Sequence, residues 1–342
     1  MKSTVLVGAL ETGIYRLTSQ NEGWKRLRNG LPDGLKVLSI VGRPDDEQTL
    51  YIGTQLGLFV SRDCGDSWAD LGLPVENSGV YSILLHPNDP AMIYAGMDHT
   101  AIYKTVDGGE TWRRLPTVQP EAAITGCFPV RVLRMALDPS APNEIYGALE
   151  VGGFIRSLDG GDTWEDRSQG LVEFSKQPHL KSAILSDSDT EGILDLHALA
   201  VSPTQPGTVW IANRMGLFVS KDRGDNWQEF GISRYSELTY GRDLMISPHD
   251  PAVFLAALST SSRGDAGSLY RSQDKGETWQ RLDHGISIDS TLMKVAVSTR
   301  DPDRIYCGAR LGQVFGTEDG GASWVDLSLP PGVVDVRAVH CV

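Results

Sequence analysis

The chain lacks any uninterrupted apolar run of the ~18–20 residues that a bilayer-crossing helix requires. Its opening, MKSTVLVGAL, passes into patterned sequence without the apolar core of a secretory leader. Neither a membrane span nor a leader is therefore expected, and the expected location is the cytoplasm. Cysteine is scarce. Only Cys64, Cys127, Cys307 and Cys341 occur in 342 residues, with no metal-type or redox-type spacing between them. Reduced, ordinary thiols are expected, with no cofactor and no metal. A nucleic-acid surface needs clustered Lys and Arg, whereas 31 basic against 44 acidic residues leave a formal charge of −13. Also missing are a Gly-x-Ser-x-Gly elbow, a phosphate loop and a dinucleotide fingerprint.

What the chain does have is glycine, 37 residues of it, and tryptophan at a regular interval. Trp24, Trp68, Trp112, Trp164, Trp227, Trp279 and Trp324 follow one another at 44, 44, 52, 63, 52 and 45 residues, with only Trp210 outside the series. The last six each close a motif of the form S/T-x-D-x-G-x-S/T/N-W: SRDCGDSW, TVDGGETW, SLDGGDTW, SKDRGDNW, SQDKGETW and TEDGGASW. The copy before Trp24 has lost both the Asp and the spacing. Each residue type has a task in a tight turn. The Asp accepts hydrogen bonds from turn N–H groups left over by the sheet ladder. The Gly adopts positive φ without steric penalty, and the Trp packs beneath the hairpin. The Gly-Gly pairs at 108–109, 160–161 and 320–321 belong to these turns and not to phosphate loops.

Around each motif run four short apolar or alternating stretches separated by Pro, Asp and Gly, as in VYSILLHP, AMIYAG, AIYKTVD and ETWRRLP. These read as four antiparallel strands, A to D, and a four-stranded unit repeating at about 44 residues is a propeller blade. The chain begins with B, C and D strands (4–10, 13–17 and 24–27) and ends on a lone A-type stretch, GVVDVRAVHCV. The expectation is a single all-β domain over 1–342, a seven-bladed β-propeller closed by the last strand completing the first blade, which leaves no exposed seam.

The motifs resemble the Asp-box (bacterial neuraminidase) repeat, and the resemblance covers essentially the whole chain. That superfamily includes sialidases, xyloglucan-active glycosidases, sortilin-type receptors and the photosystem II assembly factor. Blade sequences such as HPNDPAMIYAGMDHTAIYKTVDGGETW are most similar to the xyloglucanase and assembly-factor members. The six blades and Arg-Ile-Pro motif of sialidases are absent here, and xyloglucanases use two propellers. An Asp-box reports architecture and carries no chemistry, so function has to be argued from a site.

In a propeller, C–D turns lie on one face and D–A and B–C loops on the other. Length varies most in the D–A stretches 116–129 and 168–192, the second a candidate lid or binding loop. The A-strand starts on that face are polar. Asp195-Leu196-His197 would put Asp195 and His197 on one strand face, an acid beside a base that it orients. With Tyr240 and Asp243 these form the candidate catalytic group, and His197 is the expected base. Arg131, Arg134, Arg242, Lys294, Arg337, Asp335, Glu150 and His99 are the candidate substrate-binding residues, with Arg214 and Asp98 among further B–C loop contributors. The expected activity is a hydrolase or lyase acting by acid–base chemistry on a small polar or carbohydrate-like substrate. The alternative is a non-catalytic scaffold presenting the same face to a partner protein.

Overall fold

Where Pro, Asp and Gly interrupt the apolar stretches the chain turns, and between those breaks it pairs. The computed structural model describes residues 4–18, 21–74, 78–124 and 128–342. Within them are seven four-stranded antiparallel sheets, and the fold is an all-β, seven-bladed propeller. The A strands of blades 2 to 7 are Val37–Arg43, Val80–Leu85, Arg131–Asp138, Leu196–Val201, Tyr240–Ile246 and Leu292–Val297. Blade 1 is composite. Val5–Ala9, Gly13–Leu17 and Lys25–Leu27 are joined by Val336–Cys341, which pairs with the first of them from Val5↔Cys341 to Ala9↔Val336. The closing strand expected from the two chain ends is thus present.

The residues group into two compact units, one of Met1–Val80 with Met245–Val342 and one of Tyr81–Leu244. In the first, Val5, Val7, Tyr15, Tyr306, Val336 and Val339 share a core. In the second, Phe154, Leu171, Leu180, Leu194, Phe218 and Trp227 share another.

The six repeated turns are built alike. In blade 2, Asp63 Oδ1 accepts from Ser61 Oγ at 2.7 Å and from the Ser67 N–H at 2.8 Å, while Oδ2 takes the Ser67 hydroxyl at 2.5 Å. The Gly65 N–H donates to Ser61 Oγ at 2.7 Å. Asp107, Asp159, Asp222, Asp274 and Asp319 repeat the pattern. Hydrogen bonds from Ser67 and Ser61 hold the Asp63 carboxyl down to about 2. The residue after each Asp is left-handed as well as the following Gly. Three copies place Gly there, and the others place Cys64, Arg223 and Lys275 at φ 54°, 62° and 61°.

That carbonyl has a use the motif does not reveal. A cation on the C strand of one blade donates to it in the next: Arg16 to Cys64 O at 2.8 Å, Lys104 to Gly160 O at 3.1 Å, Arg156 to Arg223 O at 3.3 Å and Arg271 to Gly320 O at 2.9 Å. The turn is therefore also a latch between neighbouring blades. Of the expected features, Cys127 and part of the degenerate first motif lie outside the described residues.

Candidate functional site

The site candidates of the Tyr81–Leu244 unit gather around the A-strand starts of blades 4, 5 and 6. Blade 5 breaks the regular ladder there. Leu196 pairs with Asn213 and Ala198 with Ala212, so His197 is an extra residue, a β-bulge. The same irregularity falls on Leu38, Leu133 and Met293 in blades 2, 4 and 7. A bulge re-aims one side chain, and only here among these four is that side chain an imidazole. Asp195 lies just outside the strand, at φ −84°, ψ 74°. The strict alternation expected for Asp195 and His197 is thus replaced by a bend, yet it brings the two together, with Asp195 Oδ2 3.2 Å from His197 Nε2.

The His197 ring is enclosed, its side chain 1% exposed. Its Nδ1 is 2.7 Å from the Gly241 carbonyl, which accepts and so requires a proton on Nδ1. Nε2 is 3.2 Å from the Tyr240 hydroxyl and equally far from Asp195. Without a proton Nε2 accepts from Tyr240, and with one it donates to Asp195. The arrangement can hold or move a proton between a phenol and a carboxylate, but His197 itself presents no face to solvent. Burial pushes the Tyr240 phenol up, opposed by Arg242 and supported by Asp195. For Asp195, burial works against the charge, but His197 and Arg214 outweigh it and hold the carboxyl well below its usual range.

Behind Asp195 stands Arg214, one of the B–C loop contributors expected from the sequence, and it leads to Glu191, which was not among them. Arg214 donates to Asp195 Oδ2 from Nε at 3.2 Å and Nη2 at 2.9 Å, and from Nη1 to Glu191 Oε1 at 2.7 Å. The other Glu191 oxygen accepts the N–H groups of Ile184, Leu185 and Ser186 at 3.0, 2.8 and 2.8 Å and the Ser186 hydroxyl at 2.9 Å. Burial opposes ionisation of Glu191, but these donors and Arg214 win and hold its carboxyl down to about 2. The 168–192 stretch, read from sequence as a lid or binding loop, is therefore tied down. It forms helical turns at Gln169–Phe174, Pro178–Leu180 and Glu191–Leu194, with Leu171, Leu180, Ile193 and Leu194 in the core.

Blade 4 carries the opposite polarity. Arg131 and Glu150 are cross-strand partners, joined from Nη1 to Oε2 at 2.7 Å, where blade 5 places Asp195 and Arg214. Arg131 Nε also donates to Asp98 at 3.1 Å, and its guanidinium lies over the rings of Tyr81 and Phe128. Burial works against the Arg131 charge, but Glu150, Tyr81 and Asp98 raise it above its ordinary value. Burial likewise opposes the Arg242 charge, and Tyr240, Glu150 and Asp195 overcome it. Glu150 thus couples the Arg131 group to Tyr240 and Arg242. Arg134 pairs with buried Asp243 at 2.8 Å. His99 sits exposed at φ 58° on the turn after Asp98.

Lys294, Asp335 and Arg337 belong to the other unit, where Asp335 pairs with Arg310 at 3.3 Å. Among the described residues no group of three or more His, Cys, Asp or Glu is placed to hold a metal ion, and no helix is long and apolar enough to cross a membrane.

No family model matches the chain. Among curated proteins it is similar to a xyloglucanase of Hypocrea jecorina, 24% identical over 345 residues that cover 88% of this chain and 39% of that protein. The chain therefore spans about two fifths of that relative's length. Among solved structures it is similar to an ancestral GH74 enzyme, with TM-score 0.62, 15% identity and coverage of 90% of this chain and 38% of that one. It is also similar to YCF48 from Cyanidioschyzon merolae, with TM-score 0.59, 14% identity and coverage of 88% and 86%. At these identities the structural likeness establishes the fold and nothing further.

Proposed function

We propose that this chain is an Asp-box propeller that hydrolyses a carbohydrate-like substrate by acid–base chemistry at the charged group of its Tyr81–Leu244 unit. The observation that carries the reading is Glu150. It is a partly exposed carboxylate fixed by Arg131 at 2.7 Å and electrostatically coupled to Tyr240 and Arg242. Glu150, held on Arg131, is the carboxylate for the ligand to meet, while buried Asp98 fixes Arg131 from the other side. Arg134 and Arg242 bind hydroxyl or carboxylate groups of the ligand. On this reading Asp195 and His197 are positioning residues. They fix the Tyr240 hydroxyl and the proton it shares with Nε2, while Tyr240 faces Arg242. Asp243 keeps Arg134 in place. The similarity to a xyloglucanase over most of this chain supports a glucan-type substrate.

The test is to incubate the purified full chain with xyloglucan and xyloglucan oligosaccharides and follow new reducing ends together with binding by calorimetry. Release of reducing ends at a rate proportional to protein concentration is expected. Binding without release, or neither, would overturn the hydrolytic reading, and binding alone would leave a carbohydrate-recognising scaffold.

A further inference from the structure

Half-buried arginines in this protein have acceptors. Arg16 has Asp66 at 2.6 Å, Arg43 has Asp45 at 2.7 Å and Arg304 has Asp301 at 3.2 Å. Arg242, beside the Tyr240 phenol, is one exception and Arg26 is the other. It lies mid-way along Lys25–Leu27, opposite Tyr15, and is half-buried, but no hydrogen bond or ion pair joins its guanidinium to any described residue. In a chain with 44 acidic and 31 basic residues, chance favours a carboxylate beside any half-buried arginine.

The guanidinium lines a small groove, partly open to solvent, with Gly13, Arg28, Leu31, Asp33 and Leu35. Gly13, at φ 87°, borders the groove, with the Leu35 carbonyl nearest to where its Cβ would stand. A Cβ added there would stand 3.9 Å from Nη2 and 4.0 Å from Nε of Arg26, so the edge of the fork lies beside the glycine with no side chain across it. Arg28 adds a second positive charge on the exposed side, and Asp33 forms no ion pair with either arginine. The apolar walls of Leu27, Leu31 and Leu35 lower the local dielectric and strengthen the attraction for an anion.

We propose that this groove is a carboxylate-binding site, with Arg26 giving the fork-to-fork contact and Arg28 the supporting charge. A planar carboxylate matches the two parallel N–H donors of a guanidinium edge. The groove is small and open to solvent, so the head group alone meets the guanidinium edge and the rest of the ligand lies outside. Such a head group comes either from an acidic sugar or from a free organic acid. The site lies in the Met1–Val80 and Met245–Val342 unit, whereas Glu150 belongs to the Tyr81–Leu244 unit.

The test is a titration of the full chain, followed through the arginine Nε–H resonances, with galacturonate, acetate and uncharged galactose. Galacturonate should move the Arg26 resonance and galactose should not. Acetate binding as tightly as galacturonate would identify a free organic acid as the source, and galacturonate binding at least tenfold tighter would identify an acidic sugar. Arg26→Met should weaken binding at least tenfold at an unchanged melting temperature, Arg26→Lys should restore part of it, and Arg62→Met, at an exposed arginine elsewhere, should bind like wild type. The proposal is overturned by wild-type binding in Arg26→Met, by an equal response to galactose, or by no response to either carboxylate. Should Arg26→Met fold poorly, Arg28→Gln provides the same comparison with a smaller expected loss.

Discussion

Arg214 Nη1 donates to Glu191 Oε1 at 2.7 Å, joining the blade 5 turn to the 168–192 segment through a carboxylate with no exposed surface. The same guanidinium holds Asp195, so removing it leaves two buried carboxylates without their cation. Arg214→Met is expected to cost about 3 kcal/mol of stability, read by denaturant unfolding. The pH dependence has a defined sign. Glu191 is held down to about 2 from an ordinary 4.5, so its contribution is complete above about pH 4.5 and is lost as pH falls from there toward 2. Glu191→Gln should remove that part of the acid limb.

The closing strand carries a second acid-sensitive group. The His340 ring occupies the space that Gly42 leaves open, and burial pulls its pKa down to about 4 from 6.5. The unfolded chain takes up this proton first, so stability is present above about pH 6.5 and declines as pH falls toward 4. The decline attributable to His340 should be about 1–2 kcal/mol, after allowance for its partial exposure. Comparing His340→Gln with wild type between pH 7 and 4 isolates it, and parallel curves would contradict the assignment.

Asp222 accepts Ser220 Oγ at 2.7 Å and the Asn226 N–H and Nδ2 at 2.8 Å each. Asp222→Ala removes the acceptor of the Ser220 hydroxyl and of both Asn226 donors and frees the turn, at an expected cost of about 1 kcal/mol. Asp162, whose pair with Arg113 is exposed on both sides, should show little change on the same substitution.

Lys275 holds φ 61° where three sister turns use glycine. Lys275→Gly relieves left-handed strain but loosens the unfolded chain, and the two effects oppose one another. A net gain of about 0.5 kcal/mol is expected, measurable as a rise in melting temperature, and a loss would mean that the strain is smaller than the entropy cost of the glycine.

These cases show what a sequence reveals and what it conceals. The blades, the repeated turns and the terminal strand were legible because each depends on chemistry within a few residues: Asp63 needs only Ser61, Gly65 and Ser67. The Asp195, His197 and Tyr240 grouping was legible as a set of polar strand starts. Its geometry was not, because a bulge at His197 and a bend at Asp195 replace regular alternation. Glu191 escaped notice because its partners are backbone N–H groups of its own loop and an arginine 23 residues away, and neither leaves a spacing to read. Arg26 escaped for the converse reason: it is marked by what does not face it.

Under the proposed function, Glu150 performs acid–base chemistry beside Arg131, with Tyr240 held in place from behind. The most direct measurement is kcat for reducing-end release from xyloglucan oligosaccharides by wild type and Glu150→Gln at matched melting temperature. A loss of at least about 100-fold in kcat, with binding retained, is predicted. Equal kcat in the two proteins would contradict it.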